Sequence, residues 1–262
     1  MGTKLESKLR VSAMRAKSAA GARLQQLALS NRLLVRLPAN ARQRFLASCD
    51  QIEMSFEQVL CEAGEPIRHV YFPIDGFISL VTQLDDGSRL EVGIIGNEGM
   101  LGTSLVLGVD DNSHHALVQG AGTALRMKAA DFTRHCQNSM ALRLGLGRYV
   151  YVLLRQLALT AACTHYHVVE ERLARWLLLT RDRAHSDTFH LTHQLLSFML
   201  GVRRVGITRA ATALHARGLI SYVRGNIVIL DGAGLELASC RCYHQASDMY
   251  ERILGASRAR LR

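Results

Sequence analysis

The sequence predicts an α+β protein with an N-terminal double-stranded β-helix or jelly-roll barrel, a long helix and a C-terminal unit of helices and a hairpin. Three observations predict this architecture. Apolar residues alternate between 52 and 127, as they do in half-buried strands. The period becomes helical from Ala129 onward. A helix, a glycine turn, a second helix and a hairpin then fit residues 191–231.

Composition and charge favour a globular, two-domain protein that binds a polyanion. The chain has 262 residues, of which 48% are hydrophobic and 21% charged, and its net charge is +10. Residues 31–130 hold eight basic and twelve acidic residues, whereas 170–262 hold fourteen arginines, eight acidic residues and no lysine. A GC-rich genome would raise the arginine content everywhere, but it would not leave the middle of the chain acidic.

The N-terminal elements follow from local composition. Residues 1–30 are basic and polar, so we expect a mobile tail, with a short helix from Ala22 to Leu34. The same composition also resembles a transit peptide. A short helix is predicted over 38–49. The barrel occupies 31–130, and its predicted strands are 58–61, 69–72, 77–82, 90–95, 117–119 and 123–127.

A dimerisation helix is predicted over 131–167. A seam of residues at alternating spacings of four and three suits a partner helix, although packing against the chain's own barrel is the alternative. The predicted seam is Leu142, Leu146, Tyr149, Leu153, Gln156 and Thr160. A further amphipathic helix follows over 168–179, and residues 235–262 are expected to form a C-terminal helix and a basic tail.

The unit over 168–234 has the pattern of a winged helix-turn-helix. Gly201 ends the first helix, because glycine tolerates left-handed backbone, and a second, arginine-rich helix starts near Val202. Such a helix can enter a major groove and present arginine to guanine. Residues 221–224, a turn at Gly225-Asn226 and residues 227–230 then form a wing. The predicted DNA contacts are Thr192, Arg203, Arg204, Val205, Thr208, Arg209, Arg224 and Asn226.

This order of elements resembles the CRP/FNR family of bacterial transcription regulators over about 35–235. The matching motifs are Gly64–Ile67, Val70–Pro73, Gly76, Asp86-Gly87, Glu91-Val92, Gly96–Gly99, Leu191-Thr192, Leu200–Val202, Arg204, Arg209 and Gly218–Ile220. The resemblance implies a cytoplasmic, sequence-specific DNA-binding regulator that acts as a homodimer on a near-palindromic operator. RNA polymerase and an unknown small-molecule effector are the further partners that it implies.

The resemblance also implies roles for individual residues. Arg204 and Arg209 would contact bases, and Arg203 would contact phosphate where relatives often place a serine cap, at a cost of about 1 kcal/mol to the helix start. Val205 stands where many relatives have glutamate. Valine cannot accept a hydrogen bond from cytosine, so we expect a different base pair in the operator.

The sensor pocket implied by the resemblance lacks the residue that holds a cyclic phosphate. It comprises Glu98, Gly99, Met100, Leu101, Gly102, Ser113 and His114. Cyclic-nucleotide-binding relatives carry an arginine in this stretch, whereas this chain has none and has Asp110-Asp111 instead. We therefore expect an effector other than cyclic AMP. A cyclic-nucleotide- or redox-responsive regulator of the same fold is the alternative.

Metal sites and enzymatic chemistry are not favoured by the sequence. Cys240-Arg241-Cys242 and His244 have the residue types of a metal or redox site, but in a helix Cys242 would face away from the other two ligands. Ordinary packing, free thiols, and no metal or cofactor are expected. His165-Tyr166-His167 mimics a cupin metal site, which needs strand geometry, and its flanks favour helix. No signal peptide or membrane span is visible, and no membrane partner is expected.

Overall fold

The computed structural model of the protein describes residues 23–255. The described part begins with helix α1 over 23–28, so the helix predicted as far as Leu34 ends early. Asn31 ends it: its buried side chain accepts hydrogen bonds from the amides of Leu33 and Leu34 and donates to backbone oxygens of the barrel. Helix α2 (Ala39–Leu46) follows. Most of the predicted N-terminal tail, 1–22, and the basic tail 256–262 lie outside the described residues.

Two antiparallel sheets form the barrel, and the predicted α+β fold class is confirmed. One sheet has the order β1-β7-β3, and the other has the order β2-β6-β4-β5. The strands are β1 (Asp50–Met54), β2 (Val59–Cys61), β3 (His69–Pro73), β4 (Phe77–Gln83), β5 (Arg89–Ile95), β6 (His115–Gly120) and β7 (Gly122–Lys128). Strand β1 was not among the predicted strands because most of its residues are polar.

The predicted helix 131–167 is two helices. Helix α3 (Ala129–Gln137) ends before Asn138, and helix α4 (Met140–Tyr166) starts after Ser139, whose hydroxyl accepts a hydrogen bond from the Leu142 amide at 3.2 Å. Serine at this position satisfies one of the unpaired amides of a helix start. Helix α5 (Val169–Ala184) follows after an extended step at His167 and Val168.

The winged unit contains one strand that was not predicted. Its elements are β8 (Thr188–His190), α6 (His193–Leu200), α7 (Arg204–Ala216), β9 (Ile220–Val223) and β10 (Asn226–Ile229), with the sheet order β8-β10-β9. Gly201 has φ +61, as its role at the helix end requires. The predicted turn at Gly225-Asn226 is one residue late: Arg224 and Gly225 form the loop, both with positive φ, and Asn226 pairs with Val223.

The C-terminal segment folds back on the rest of the chain. Helix α8 (Gly232–Ala238) and helix α9 (Cys242–Tyr250) are separated by a short link, and α9 packs against α4. Cys240 lies in that link, so the helical geometry assumed for the Cys240–His244 stretch is wrong. Cys240 and Cys242 are both buried beside Cys163, whereas His244 pairs with Glu236. Among residues 23–255, no helix is long and apolar enough to cross a membrane.

Candidate DNA interface and sensor cavity

Helix α7 presents an arginine-rich face to solvent. Ile207 and Ala210 are buried on its inner side, while the outer side is exposed. The exposed residues are Arg203, Arg204, Val205, Thr208 and Arg209. Within the described part of the chain, no ion pair engages these three arginines. The structure thus brings the five predicted contacts of this helix onto one accessible, positively charged surface.

The start of α7 has no side-chain cap. Arg203 is the N-cap residue, with extended backbone, and its side chain makes no capping hydrogen bond, as the sequence predicted. The first amides of the helix therefore point outward without a side-chain partner. Unpaired amides and the positive end of the helix dipole favour an anion at this position.

The two predicted threonine contacts are already engaged within the protein. The Thr192 hydroxyl accepts a hydrogen bond from the Leu195 amide at 3.1 Å and so caps α6. The Thr208 hydroxyl donates to the Arg204 carbonyl oxygen at 3.1 Å and lies 3.1 Å from Nδ1 of His193. Both hydroxyls therefore stabilise the local structure of α6 and α7.

His193 and Tyr222 lie beside the exposed face of α7, at the junction of α6 and the wing, and the sequence did not predict their contact. Their rings stack with centroids 4.2 Å apart, which ties α6 to the wing. Burial, and then the Arg204 charge, lower the pKa of His193, so its ring is neutral near pH 7. The only signal for His193 in the sequence is its position directly after Thr192, the N-cap of α6. Its stacking on Tyr222 depends on the folded wing.

The wing tip carries one exposed cation. Arg224 lies in the two-residue loop with φ +49 and is exposed. Asn226 is placed differently, because its Oδ1 lies 3.0 Å from Nδ1 of His190 in the neighbouring strand. Arg224 is therefore exposed at the wing tip without such a contact, whereas the Asn226 side chain links β10 to β8.

Half of the predicted dimer seam packs against the chain's own barrel. Leu142, Leu146 and Tyr149 are buried in one core with the barrel, and the Met100 amide donates to the Tyr149 hydroxyl at 3.3 Å. The structure therefore corrects the prediction for these three residues in favour of its alternative. Leu153, Gln156 and Thr160 are half-buried and line a cavity.

Another face of α4 exposes apolar and small residues at coiled-coil spacing. We call this face the outer seam: Leu144, Gly147, Tyr151, Leu154, Ala158 and Ala161. Its members follow one another at alternating steps of three and four. Leu144 is 57% exposed and Leu154 is 61% exposed. Exposed leucines on a regular stripe are typical of a surface that a second helix covers.

A cavity of about 330 Å³ lies between the barrel, α4 and the DNA-binding unit. Its apolar lining includes Leu80, Leu153 and Leu157, and Arg172 and Arg175 of α5 add positive charge. Of the predicted sensor residues, Ser113 and His114 line this cavity.

The other predicted sensor residues, Glu98 to Gly102, do not line the cavity. Met100 is fully buried, and a side chain at Gly99 would collide with the Tyr149 hydroxyl. Glu98 forms a 2.9 Å ion pair with Arg183 of α5. This loop therefore joins the barrel to α4 and α5.

Comparison with known proteins identifies the two halves. A model of the cyclic nucleotide-binding domain matches residues 53–139, and a model of the Crp-like helix-turn-helix domain matches residues 171–238. Together the two matches cover more than half of the chain. The chain belongs to the CRP/FNR family. It is a DNA-binding transcriptional regulator, so the predicted family and general function are confirmed.

Solved structures of CRP/FNR proteins share the fold at low sequence identity. FixK2 from Bradyrhizobium japonicum is 17% identical, with a TM-score of 0.62 over 73% of this chain and 98% of that one. The c-di-GMP-responsive global regulator CLP from Xanthomonas campestris is 18% identical, with a TM-score of 0.60 over 73% and 99%. A CRP-family transcriptional regulator from Thermus thermophilus is 17% identical, with a TM-score of 0.60 over 72% and 96%. No curated protein matches the chain.

Proposed function

We propose that this CRP/FNR protein works in the cytoplasm as a homodimer that reads a near-palindromic operator through two copies of α7. The observation that carries the proposal is the exposed arginine face of α7, which no ion pair of the described residues occupies. In such a dimer the two helices enter successive major grooves about 34 Å apart. RNA polymerase is the further partner that the family relationship implies.

Dimerisation is proposed through the outer seam. Leu144 and Leu154 supply exposed apolar surface, and Gly147, Ala158 and Ala161 allow the two helices to approach closely. The opposite face of α4 is occupied by the barrel, so each α4 would contact both its partner helix and its own sensor domain. In that arrangement, a change in the barrel would act through α4 on the distance between the two copies of α7.

We assign different kinds of DNA contact to the residues of α7 and the wing. Arg204 and Arg209 contact base edges, for which the guanidinium suits guanine. Arg203, at the uncapped helix start, and Arg224, at the wing tip, contact phosphate. Val205 is 55% exposed and would touch a thymine methyl group.

The effector is proposed to bind in the cavity and to differ from cyclic AMP. No lysine or arginine occurs between Arg89 and Arg126, so the barrel stretch that would hold a cyclic phosphate has no cation. The cations that line the cavity come from α5 instead: Arg183 is paired with Glu98, whereas Arg172 and Arg175 form no ion pair among the described residues. The lining suits a small molecule with an apolar body and an anionic group.

An enzymatic role is not proposed. His165 lies on α4 and His167 lies beyond its end, so the two do not form the strand pair that a cupin metal site requires.

Selection of bound sequences from a random DNA pool, with and without a metabolite extract, tests the proposed function. We expect the selected sequences to share a near-palindromic site, and we expect their enrichment to depend on the metabolite extract. The double variant Arg204→Ala/Arg209→Ala is the control and should lose the consensus. Binding of scrambled DNA as tight as that of the selected site, at equal salt, would contradict the proposal, because contacts that ignore sequence are electrostatic.

A further inference from the structure

Four metal-ligating side chains converge where the C-terminal segment meets the end of α4. They are Cys163, His167, Cys240 and Cys242, and their ligand atoms all lie within 4.8 Å of one another. The sulfurs of Cys163 and Cys240 are 3.5 Å apart, and the Cys242 sulfur lies 3.6 Å from Nδ1 of His167. The three cysteines are buried and His167 is half-buried.

Separate local features bring these residues together. Cys163 and His167 are four residues apart at the end of α4, and the His167 amide donates to the Cys163 carbonyl oxygen at 3.1 Å. Residues at this spacing share one side of a helix. The link between α8 and α9 is not helical at Cys240, and this turns the Cys240 and Cys242 sulfurs toward the same point.

Two of the six separations among these ligand atoms match those of a tetrahedral zinc site. Zinc–sulfur bonds of about 2.3 Å and zinc–nitrogen bonds of about 2.0–2.1 Å place neighbouring ligand atoms roughly 3.5–3.8 Å apart. The Cys163–Cys240 contact of 3.5 Å and the Cys242–His167 contact of 3.6 Å both fall in this range. We propose that Cys163, His167, Cys240 and Cys242 bind one zinc ion in a closed, structural site.

The surroundings suit the charge of such a site. Three thiolates and a neutral imidazole around a divalent ion leave a net charge of −1. Arg175 donates a hydrogen bond to the Thr160 hydroxyl at 3.2 Å, about one turn of α4 before Cys163, so a cation lies near the site. A disulfide between Cys163 and Cys240 would use only two of the four groups, and it would leave Cys242 and His167 without a shared role.

The site would fix the C-terminal segment to the step between α4 and α5. His167 belongs to that step, and α9 runs from Cys242 to Tyr250, whose hydroxyl donates to the Glu98 carbonyl oxygen at 2.6 Å. Zinc would therefore hold one end of the C-terminal segment, which reaches from the loop at Glu98 to the start of the DNA-binding unit. Metal removal should lower the melting temperature, since metal-binding energy stabilises only the folded form.

Metal analysis of the full-length protein tests this site independently of DNA binding. The protein is purified under reducing conditions from zinc-supplemented medium without chelators, and zinc is measured by mass spectrometry. We expect about one zinc per chain. Cys242→Ser removes one of the four proposed ligands and should retain less than about a tenth of the wild-type zinc content. Cys136→Ser is the matched control, because Cys136 is buried in a different core. The zinc content of this variant should equal that of the wild type.

Cobalt substitution adds a readout that does not require the variants to fold. Wild-type protein reconstituted with cobalt should show the visible bands of tetrahedral coordination and a sulfur-to-metal charge-transfer band. Wild-type protein that retains no zinc and gives no such spectrum would overturn the proposal. So would a metal-free Cys163–Cys240 disulfide in the freshly purified wild type, or a zinc content unchanged in Cys242→Ser.

Discussion

Trp176 donates a 2.6 Å hydrogen bond from its indole nitrogen to Oε1 of Glu91, which joins the DNA-binding unit to the N-terminal barrel. Glu91 lies on β5 and is buried, and its other oxygen accepts a 2.5 Å hydrogen bond from the Ser79 hydroxyl. Burial raises the pKa of Glu91 to about 7, although these hydrogen bonds and nearby arginines act in the opposite direction. A carboxyl that titrates near neutrality therefore lies at the contact between the two halves.

This contact predicts a specific pH dependence of stability. In the unfolded chain Glu91 ionises near its ordinary pKa of 4.5, whereas in the folded protein it ionises only near pH 7. The unfolded state therefore binds fewer protons between these values, and the free energy of unfolding falls as pH rises. The loss amounts to about 3 kcal/mol in total and ends above the folded pKa.

Glu91→Gln should remove this pH-dependent part of the unfolding free energy, because glutamine is neutral. Its side chain can still form hydrogen bonds with Trp176 and Ser79. Urea unfolding between about pH 4 and pH 8 measures the difference in stability between variant and wild type. That difference should rise in favour of the variant up to pH 7 and then level off. Glu53→Gln, at an exposed position of β1, is the control and should give a flat difference. A flat difference for Glu91→Gln as well would refute the assignment.

The ion pair between Glu98 and Arg183 predicts a large cost for removing one charge. Their side chains are only 12% and 10% exposed, so Glu98→Gln leaves a nearly buried guanidinium without its counter-charge. We expect a loss of about 3–5 kcal/mol in unfolding free energy.

The matched comparison is Glu170→Gln. Glu170 pairs with Arg217 at the same 2.9 Å distance, but with side chains that are 32% and 51% exposed. Its loss should stay below about 1 kcal/mol, because solvent screens the pair. Equal losses in both variants, measured by chemical denaturation, would mean that the Glu98 pair has no special importance.

The proposed division of contacts on α7 and the wing predicts two kinds of DNA-binding defect. Arg204→Ala should weaken binding to the selected site by about 1–3 kcal/mol and relax the choice at one base pair. Arg224→Ala should weaken binding to every sequence alike and reduce the salt dependence by about one unit of slope. Titration of the selected and single-substituted sites at several salt concentrations separates them. A uniform loss in Arg204→Ala would identify Arg204 as a phosphate contact.

Local signals explain why the DNA-binding unit could be predicted from sequence. The apolar period of α6 and the glycine at 201 define the helix-turn-helix over a short stretch, and the exposed arginines follow from the period of α7. The wing turn was misplaced by one residue because Arg224 adopts φ +49, which residues other than glycine rarely do. The stacking of His193 on Tyr222 depends on the folded wing, so periodicity could not reveal it.

Tertiary packing decided the features that the sequence left open. Helix α4 is apolar on more than one face, and both Leu142-Leu146-Tyr149 and Leu144-Gly147-Tyr151 have seam spacing. Only the folded barrel selects which face is covered. Similarly, Cys240 and Cys242 would point apart in a continuous helix, and the break between α8 and α9 turns them together.

The outer seam predicts a change in oligomeric state. Leu154→Glu places a carboxylate at a position that is 61% exposed in one chain and that would face its own copy in the dimer. Two such charges repel across a desolvated contact, so dissociation should become easier by at least about 100-fold. Leu142→Ala is the control: Leu142 is buried against the barrel, so this variant should lose about 2–5 kcal/mol of stability and keep its dimer affinity. Sedimentation equilibrium measures both, and a Leu154→Glu protein that associates like the wild type would show that the partner helix lies elsewhere.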